Sequence, residues 1–404
     1  MTLSYDPYDY KLQDDPYPTY SRLREEAPVF YNEALDVFVL SRHADILRAF
    51  RDIDNFSNAM GVSVDPSAFG PEAYRTMSFL AMDPPRHTRL RSLVNRSFTP
   101  RRVAEMEARI LEIADAHLAP CFEAGSFDFV SDFAGKMPMD VISEMMGVPE
   151  VDRAELRRLA DLVLHREEGV YDVPPEGVAA ALDLVVYYQQ MVAERRVKPS
   201  EDMTSDLLFA EIDGDRLSDE EIISFLFLMV VAGNETTTKL LANAWYWAAK
   251  FPEVSASVLA DSSRTAAWVE ETLRFDGSTQ QILRVTKTPL ELHGSKIPSG
   301  SRVLLLIGSA NRDPEVFPDP DRYDLDRDSS KFLSFGGGKH FCMGAPLARL
   351  EGLVGLNRLV ESIASYEVDF AAAERVHSVN VRGFAALPTT VSLRENRPRG
   401  AFHG

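Results

Sequence analysis

Residues 335–349 read FGGGKHFCMGAPLAR and place one of the chain's two cysteines, Cys342, in a glycine-rich loop. An apolar pattern with helical spacing follows the loop and predicts a helix over residues 345–364. Peptide N–H groups and the dipole at a helix N-terminus stabilise a thiolate. The stretch therefore predicts a functional cysteine that attacks a substrate, assists phosphate chemistry or binds a metal.

The bulk composition is that of a globular protein. The 404 residues are 45% hydrophobic and 26% charged, with a net charge of −19. Such an acidic chain argues against general nucleic-acid binding and against an anionic membrane surface. Two cysteines are too few for a disulfide framework, and the polar N-terminus lacks signal-peptide features. The longest apolar run, Phe225–Ala232, is far shorter than the roughly 20 residues that cross a bilayer. We therefore expect a cytoplasmic protein without a transmembrane segment.

Helical periodicity dominates the chain and predicts a mainly α (α+β) fold. Hairpin-like patterns lie near residues 29–41 and 384–394, and a short antiparallel meander is predicted over 286–311. Because no linker or composition break is found, we expect a single domain over 1–404 with small antiparallel sheets. The predicted helices are 15–26, 99–124, 131–147, 151–166, 176–197, 218–250, 253–259, 264–275 and 345–364.

The long central helix over 218–250 carries an anomaly at AGNETT (232–237). Ser218 and Glu221 form a capping box at its start. Gly233 in mid-helix costs about 1 kcal/mol relative to Ala, and a buried Glu235 is costly unless paired or used. Two interpretations stay open: the helix reaches the surface here, or a local groove admits a ligand at Gly233 while Glu235 and Thr236 handle protons.

Several chemistries compete for Cys342. A phosphatase loop would need an arginine closer than Arg349, and in a Walker A loop Ser or Thr would follow the lysine, where this chain has His340. Zinc needs more ligands at short spacing, and a cysteine protease needs a distant histidine, which remains possible. Alternatively, the glycines at 336–338 and Gly344 let the backbone approach a flat ligand whose iron binds the thiolate.

FGGGKHFCMG resembles the haem-binding loop of cytochromes P450, F-x-x-G-x-x-x-C-x-G, with Phe335, Gly338, Cys342 and Gly344 at the motif positions. AGNETT is similar to that family's central-helix motif, and EETLR supplies its E-x-x-R motif. The resemblance implies the cytochrome P450 fold, with the central helix over a haem b whose iron binds Cys342. It also implies a structural ion pair between Glu271 and Arg274.

The resemblance assigns further roles around the implied haem. Propionate partners would be His87, Arg91, Arg284 and His340. Residues beside the haem would be Phe335, Gly336, Gly344, Ala232 and Gly233. The catalytic group would be Glu235, Thr236 and Thr237, with Thr236 holding the distal oxygen or its water and Glu235 relaying protons.

The activity that the resemblance implies is a monooxygenase inserting one oxygen atom of O2 into a C–H bond of a lipophilic molecule, such as a steroid, fatty acid, terpenoid or polyketide. Candidate pocket walls are Met60, Val62, Phe79, Ile282 and Phe384. Electrons would come from NAD(P)H through a ferredoxin reductase and a ferredoxin. The arginine-rich stretch 84–102 of this acidic chain suggests a ferredoxin-docking surface at Arg89, Arg96, Arg101 and Arg102, with solubilising surface charge as the open alternative.

Three other functions remain open from the sequence. A peroxide-driven enzyme of the same fold is disfavoured by the acid–alcohol pair Glu235 and Thr236. In a non-enzymatic haem protein that binds a lipid or gas, that pair would have no task. A cysteine hydrolase using Cys342 would be colourless when purified.

Overall fold

The computed structural model describes residues 3–212 and 214–395, without the side chains of residues 96, 97 and 100. Within these ranges α-helices form most of the regular structure, and the predicted helix-rich α+β class is confirmed. The helices are α1 (Tyr10–Asp14), α2 (Tyr17–Glu26), α3 (His43–Arg51), α4 (Tyr74–Met77), α5 (Arg86–Val94), α6 (Pro100–Glu105), α7 (Glu107–Ala124), α8 (Met137–Met146), α9 (Glu150–Leu164), α10 (Pro175–Val197), α11 (Met203–Phe209), α12 (Asp219–Leu228), α13 (Asn234–Lys250), α14 (Pro252–Ala260), α15 (Thr265–Phe275), α16 (Ile307–Ala310) and α17 (Ala345–Ser362).

The predicted central helix is present, but a π-helical turn over Met229–Gly233 joins α12 to α13. Ser218 caps α12 as predicted: its side chain accepts from the Glu221 N–H, and the Glu221 carboxylate accepts from the Ser218 N–H. A π-turn inserts an extra residue into the helix and widens it locally, a feature common at functional sites. The anomaly that the sequence shows at Gly233 therefore coincides with this turn.

Two other predicted helices are interrupted. The helix predicted over 99–124 divides at Met106 into α6 and α7. The one predicted over 131–147 consists of a π-helical turn, Phe129–Ala134, followed by α8. In each case the hydrophobic periodicity is continuous along the sequence, whereas the backbone hydrogen bonding changes, so periodicity does not reveal the break.

Fourteen strands lie in the described ranges. They are β1 (Val29–Asn32), β2 (Val37–Leu40), β3 (Phe56–Ser57), β4 (Ser126–Asp128), β5 (Glu211–Ile212), β6 (Asp215–Arg216), β7 (Ile282–Thr286), β8 (Leu290–Leu292), β9 (Ser295–Ile297), β10 (Arg302–Leu305), β11 (Ile363–Val368), β12 (Glu374–Arg375), β13 (Phe384–Ala386) and β14 (Pro388–Leu393). The largest sheet has the order β1-β2-β10-β7-β3, in which β10 pairs with β2 in parallel and the other pairs are antiparallel. The predicted hairpin β1–β2 is confirmed.

The hairpin predicted over 384–394 is wrong. β13 pairs with β12, whereas β14 pairs with β11 and β4. Between β13 and β14 the Leu387 N–H donates to the Asp128 carboxylate (2.6 Å), and the Leu387 carbonyl accepts from the Phe129 N–H (3.0 Å). Hydrogen bonds from residues 128 and 129 therefore fix the backbone at Leu387, and the chain does not form a reverse turn there.

Two hydrophobic clusters form the core. The larger surrounds α12 and α13 and includes the buried faces of α7, α8, α10, α15 and α17, while the smaller packs α2 and α3 on the largest sheet. Direct contact between α13 and α17 brings the AGNETT segment to the helix that follows the cysteine loop. The fold thereby unites the two motifs, which lie about a hundred residues apart in the sequence.

Candidate functional site

Cys342 ends a loop that is tied back on itself just before α17 begins. Its N–H donates to the Phe335 carbonyl (2.9 Å), so the two motif positions form one turn. Burial raises the pKa of the thiol, while the backbone N–H groups of Gly344 and Ala345 and the charges of Arg91 and Arg349 act in the opposite direction. The side chain nevertheless keeps accessible surface. A thiol in this position needs a positive partner to ionise fully, and a metal ion provides one.

Two of the loop glycines pack the cysteine loop against α3. Gly336 and Gly338 have φ of +68° and +65°, in the left-handed region that favours glycine. A Cβ on Gly336 would lie 3.8 Å from the Phe50 ring, and one on Gly338 would lie 2.5 Å from the Phe50 carbonyl oxygen. These glycines therefore allow the loop to pack on α3, and the close approach of Gly336 to a flat ligand stays a prediction. Of the loop glycines, only Gly344 lies beside the sulfur: a Cβ on Gly344 would be 3.9 Å from the Cys342 Sγ.

His87, Arg91, Arg284 and His340 meet near the cysteine loop, although they come from α5, β7 and the loop itself. The His87 and His340 rings lie 4.1 Å apart between centroids. Arg91 donates to the carbonyls of Lys339 (2.9 Å) and Phe341 (2.6 Å) in the loop. Burial lowers the pKa of His87 to about 4 and that of Arg284 to about 10, because the protein withdraws these cations from water.

This group of basic residues fits the propionates of a haem. Both ring nitrogens of His87 and Nδ1 of His340 are buried without a hydrogen-bond partner among the described residues. The buried Arg284 guanidinium donates to the neighbouring Leu283 carbonyl (2.7 Å). Buried polar atoms are almost always paired, and buried charges call for an opposite charge. Two carboxylates placed here would satisfy both requirements.

The residues of the AGNETT segment differ in burial: Thr236 is half-buried, whereas its neighbours Glu235 and Thr237 are buried. The Thr236 hydroxyl donates to the Ala232 carbonyl (2.7 Å), one turn earlier. Its own carbonyl accepts from the Ser278 hydroxyl (2.6 Å). A Cβ on Gly233 would face Ile142 of α8 at 3.6 Å, an ordinary contact, so Gly233 points at a neighbouring helix. Ala232, Gly233 and Thr236 are all half-buried, and the expectation that Gly233 admits a ligand stays a prediction.

Glu235 is buried, and charged partners hold it from two helices. Its carboxylate lies 3.0 Å from the Lys239 ammonium, one turn along α13, and accepts from the Asn234 amide (3.2 Å). It also shares a hydrogen bond with Asp161 of α9. Although burial raises the pKa of Glu235, Lys239 and this hydrogen bond hold it below its usual value. The alternative that the helix simply reaches the surface at Glu235 is therefore wrong.

Thr237 faces the opposite way, toward α17. It is buried and hydrogen-bonded to Glu351, whose pKa is raised to about 8 by burial. The sequence did not indicate a role for the two acids Glu351 and Asp161. The contact between Lys239 and Glu235 could have been predicted, since Lys239 lies four residues after Glu235 on the same helix face. No sequence pattern indicates that Asp161 lies near Glu235, because only the packing of α9 on α13 brings the two residues together.

The predicted ion pair of Glu271 and Arg274 is present and fully buried. Arg274 donates twice to Glu271, at 2.6 and 2.8 Å, and also binds the carbonyls of Asn311 (3.0 Å) and Pro320 (2.9 Å). Arg327 adds a third charged contact at 3.4 Å from Glu271. The group joins α15 to the segment that precedes the cysteine loop, so it positions the loop without touching Cys342.

The candidate pocket walls occupy different places. Phe79 lies beside the basic group, with its ring centroid 6.0 Å from that of His87. The Leu283 N–H donates to the Val62 carbonyl (2.8 Å), which brings Val62 next to Ile282. Phe384 instead packs on the ring of Tyr246, at 4.4 Å between centroids, and we assign it to the core. The carbonyl of Met60, half-buried, accepts from the N–H of Gly70 (2.9 Å), so Met60 lies in the same irregular segment as Val62.

The arginines expected to dock a ferredoxin differ in their availability. Arg89 is bound to Asp215 (2.6 Å) and Glu221 (2.7 Å), and Arg102 to Asp206 (3.0 Å). The Arg101 side chain is 86% exposed beside Glu105 at 3.3 Å. The Arg96 side chain lies outside the described part of the structure. Arg101 is therefore the most available of the described candidates, because acidic neighbours hold Arg89 in two ion pairs.

The sequence is similar to known proteins over nearly all of its length. The sequence model described as Cytochrome P450 matches residues 178–389. A relative named putative cytochrome P450 123, from Mycobacterium tuberculosis, is 57% identical over 390 residues, covering 96% of this chain and 97% of its own. The chain belongs to the cytochrome P450 family. It is accordingly a cytochrome P450 monooxygenase, a class that uses O2 and a haem iron with a thiolate ligand.

More distant relatives span the full chain. This cytochrome P450 is 36% identical to the vitamin D(3) 25-hydroxylase of Pseudonocardia autotrophica, over 97% of this chain and 98% of that one. The solved structure of CYP109Q5 from Chondromyces apiculatus superposes with a TM-score of 0.86 at 35% identity, covering 98% and 100% of the two chains. The predicted cytochrome P450 fold is thus confirmed. No helix in the described ranges has the length and apolar character needed to cross a membrane.

Proposed function

We propose that this cytochrome P450 inserts one oxygen atom of O2 into a C–H bond of a lipophilic small molecule. The observation that carries the proposal is that buried ring nitrogens of His87 and His340 lack hydrogen-bond partners among the described residues, next to the loop that ends in Cys342. Contact between α13 and α17 brings the AGNETT segment to the helix that follows this loop. When bound, the haem supplies the iron chemistry that activates O2. The protein's part is to bind and orient the haem, exclude water and move protons.

Each residue group has a task in this proposal. Cys342 is the iron ligand, and the N–H groups of Gly344 and Ala345 support its thiolate. The Phe335 carbonyl accepts from the Cys342 N–H, and the Phe335 side chain shields the sulfur on that side. His87, Arg91, Arg284 and His340 would hold the propionates, which would give the buried ring nitrogens of His87 and His340 hydrogen-bond partners. The haem orientation is then fixed by contacts from three separate elements.

Proton handling falls to α13. The Thr236 hydroxyl donates to the Ala232 carbonyl in this structure and can accept from a donor at the same time. Once the hydroxyl no longer donated to the Ala232 carbonyl, its proton would be available to another acceptor. Glu235, ionised beside Lys239, is the base and acid that exchanges protons with this group, and Thr237 anchors the helix to α17 through Glu351. A positioned acid of this kind contributes about 10²–10⁴-fold in rate.

The substrate class rests on apolar surroundings and on relatives. Phe79, Val62 and Ile282 are apolar and lie on the segments nearest the basic group. One relative is named as a hydroxylase of vitamin D(3), and solved structures of CYP109E1 contain corticosterone and testosterone. We therefore propose a steroid or secosteroid-like lipid as the first class to test, ahead of fatty acids, terpenoids and polyketides.

The test compares the two cysteines. We expect the ferrous–CO complex of the wild type to show the strongly red-shifted Soret band of thiolate ligation. Cys342→Ala should lose that band, whereas Cys121→Ala should keep it, because Cys121 is buried in the core with its thiol on the His117 carbonyl (3.3 Å). A wild-type protein without haem, or with an imidazole-type band, would overturn the proposal. Steroids that displace the iron-bound water should then shift the ferric spectrum.

Electron supply is part of the same proposal. We place NAD(P)H, a ferredoxin reductase and a ferredoxin outside the chain, with docking near Arg101 on the cysteine side. Charge reversal by Arg101→Glu should slow reduction of the haem more at low than at high ionic strength. Arg158→Glu, on α9, is the control and should have no such effect. Turnover with peroxide alone, without ferredoxin, would favour the peroxide-driven alternative instead.

A further inference from the structure

A short N-terminal segment, residues 5–10, binds to segments that are distant in the sequence. The Tyr8 hydroxyl donates to the Asp65 carboxylate (3.0 Å). The Tyr10 hydroxyl donates to the Arg166 carbonyl (2.7 Å). We call residues 5–10 the strap, because two of its tyrosines join the segment after β3 to the segment after α9.

The strap holds the loop of residues 165–174, which joins α9 to α10. Near the start of this loop, Arg166 donates to both oxygens of Asp65, at 2.9 and 2.6 Å, and both side chains are buried. Near its end, the Ser67 hydroxyl donates to Asp172 (2.6 Å). The loop is therefore fastened at two points to the segment that carries Asp65.

His377, from the segment between β12 and β13, completes the contact. The Arg166 N–H donates to its carbonyl (2.9 Å), and the Tyr10 ring stacks on its imidazole at 3.6 Å between centroids. The Tyr8 ring likewise lies 5.1 Å from the Tyr171 ring. Replacing either strap tyrosine by phenylalanine therefore keeps its ring and removes only its hydroxyl.

The fastened loop lies beside the candidate pocket. Met60 and Val62 belong to the same irregular segment as Asp65, and Val62 is bound to β7. α9 packs on the π-helical turn that precedes Thr236, while α10 packs on α12. Movement of the 165–174 loop away from the strap would therefore expose the segment of these pocket walls.

Apolar packing around the strap is thin. Tyr8, Val64 and Val379 form a buried hydrophobic cluster of their own, apart from the two large clusters of the core. Among the described residues, only the half-buried Leu35 packs against this cluster. Regions with few buried apolar contacts open at a lower free energy than the whole domain. Polar contacts, including the two tyrosine hydroxyls, therefore contribute much of the stability of the closed loop.

We propose that the strap is a latch: Tyr8 and Tyr10 hold the 165–174 loop closed beside the candidate pocket, and a ligand enters or leaves after they release it. This inference goes beyond the proposed monooxygenase function, because it concerns access to the pocket and not the reaction. The latch is closed both before and after binding. Weakening it therefore raises the association and dissociation rates by the same factor and leaves Kd unchanged.

The first test is rapid mixing of the ferric holoenzyme with phenylimidazole, an apolar ligand of haem iron, followed by the shift of the Soret band. We expect both rates to rise roughly tenfold in Tyr8→Phe, whose acceptor is charged, and roughly fivefold in Tyr10→Phe, with Kd within about twofold of the wild type. Tyr187→Phe is the matched control. It removes a hydroxyl bound to Asp152 (2.8 Å) at the other end of α9 and should change neither rate.

The second test is hydrogen–deuterium exchange of the amides of residues 165–174. Exchange should be faster in Tyr8→Phe and Tyr10→Phe than in the wild type, and unchanged in Tyr187→Phe. Wild-type rates in both strap variants would overturn the inference, as would wild-type exchange or a rise in dissociation alone that weakens binding by the same factor. Because hydrogen exchange does not require haem, failure of the monooxygenase proposal would leave this measurement decisive.

Discussion

A buried ion pair ties the segment after α9 to the irregular segment after β3. Arg166 donates to both oxygens of Asp65, at 2.9 and 2.6 Å, and the two side chains are 3% and 0% exposed. The Tyr8 hydroxyl also donates to Asp65 (3.0 Å). The Ser67 hydroxyl donates to Asp172 (2.6 Å) between the same two segments. This contact holds together the segments that flank α9 and the candidate pocket.

Replacing Asp65 by Asn keeps the shape of the side chain and leaves the Arg166 charge buried without its carboxylate. Removing one partner of a buried pair costs about 3–5 kcal/mol. Arg166 keeps two carbonyl acceptors, Val163 (3.0 Å) and His165 (2.6 Å), so we expect the lower value. With an unfolding entropy of about 2.1 cal/mol/K per residue, 3 kcal/mol corresponds to roughly 3–4 °C in Tm for a chain of this length.

The assay is thermal unfolding followed by circular dichroism at one fixed scan rate, with limited proteolysis of residues 165–174. Asp65→Asn should lower Tm by that amount and increase cleavage. Glu155→Gln, which loosens an exposed pair, should stay within about 1 kcal/mol of the wild type. The double variant Asp65→Asn/Arg166→Met should be less destabilised than the sum of its single variants, because no charge stays buried alone. Equal Tm values for Asp65→Asn and the Glu155→Gln control would refute the reasoning.

Three further predictions concern other buried groups. Burial raises the pKa of Glu351 from 4.5 to about 8. Because the folded state then holds this proton more tightly than the unfolded state, the free energy of unfolding should fall as pH rises from 4.5 to about 8. Glu351→Gln should remove this decline, which a series of Tm values against pH would show. Gly338→Ala should lower the haem content, because Gly338 has a φ of +65° and the new Cβ would lie 2.5 Å from the Phe50 carbonyl oxygen. The ratio of Soret absorbance to protein absorbance measures this content, and full haem loading would contradict the prediction. Arg274→Met should cost about 3 kcal/mol, the lower end of the range for breaking a buried ion pair, because Glu271 loses two charged hydrogen bonds but keeps Arg327 at 3.4 Å. A soluble variant with wild-type Tm would disprove it.

Much of the site could be predicted from short stretches of sequence. The cysteine loop, the AGNETT segment and the E-x-x-R pair each act within one turn or one loop, so their residue types and spacing carry the information. Helix positions followed from periodicity, since burying one face needs an apolar residue every three or four positions. The basic group was identified from its motif resemblance, and the structure brings its four members together.

The tertiary structure alone decided which partners these residues meet. Asp161 joins Glu235 through the packing of α9 on α13, and Leu387 is held by Asp128, which turns a predicted hairpin into strands of two different sheets. Arg89 is engaged by Asp215 and Glu221, which only the folding of distant segments brings next to it. Sequence spacing governs groups that share a helix or loop, whereas contacts between distant segments depend on how whole helices pack to bury their apolar faces. No local pattern records that choice.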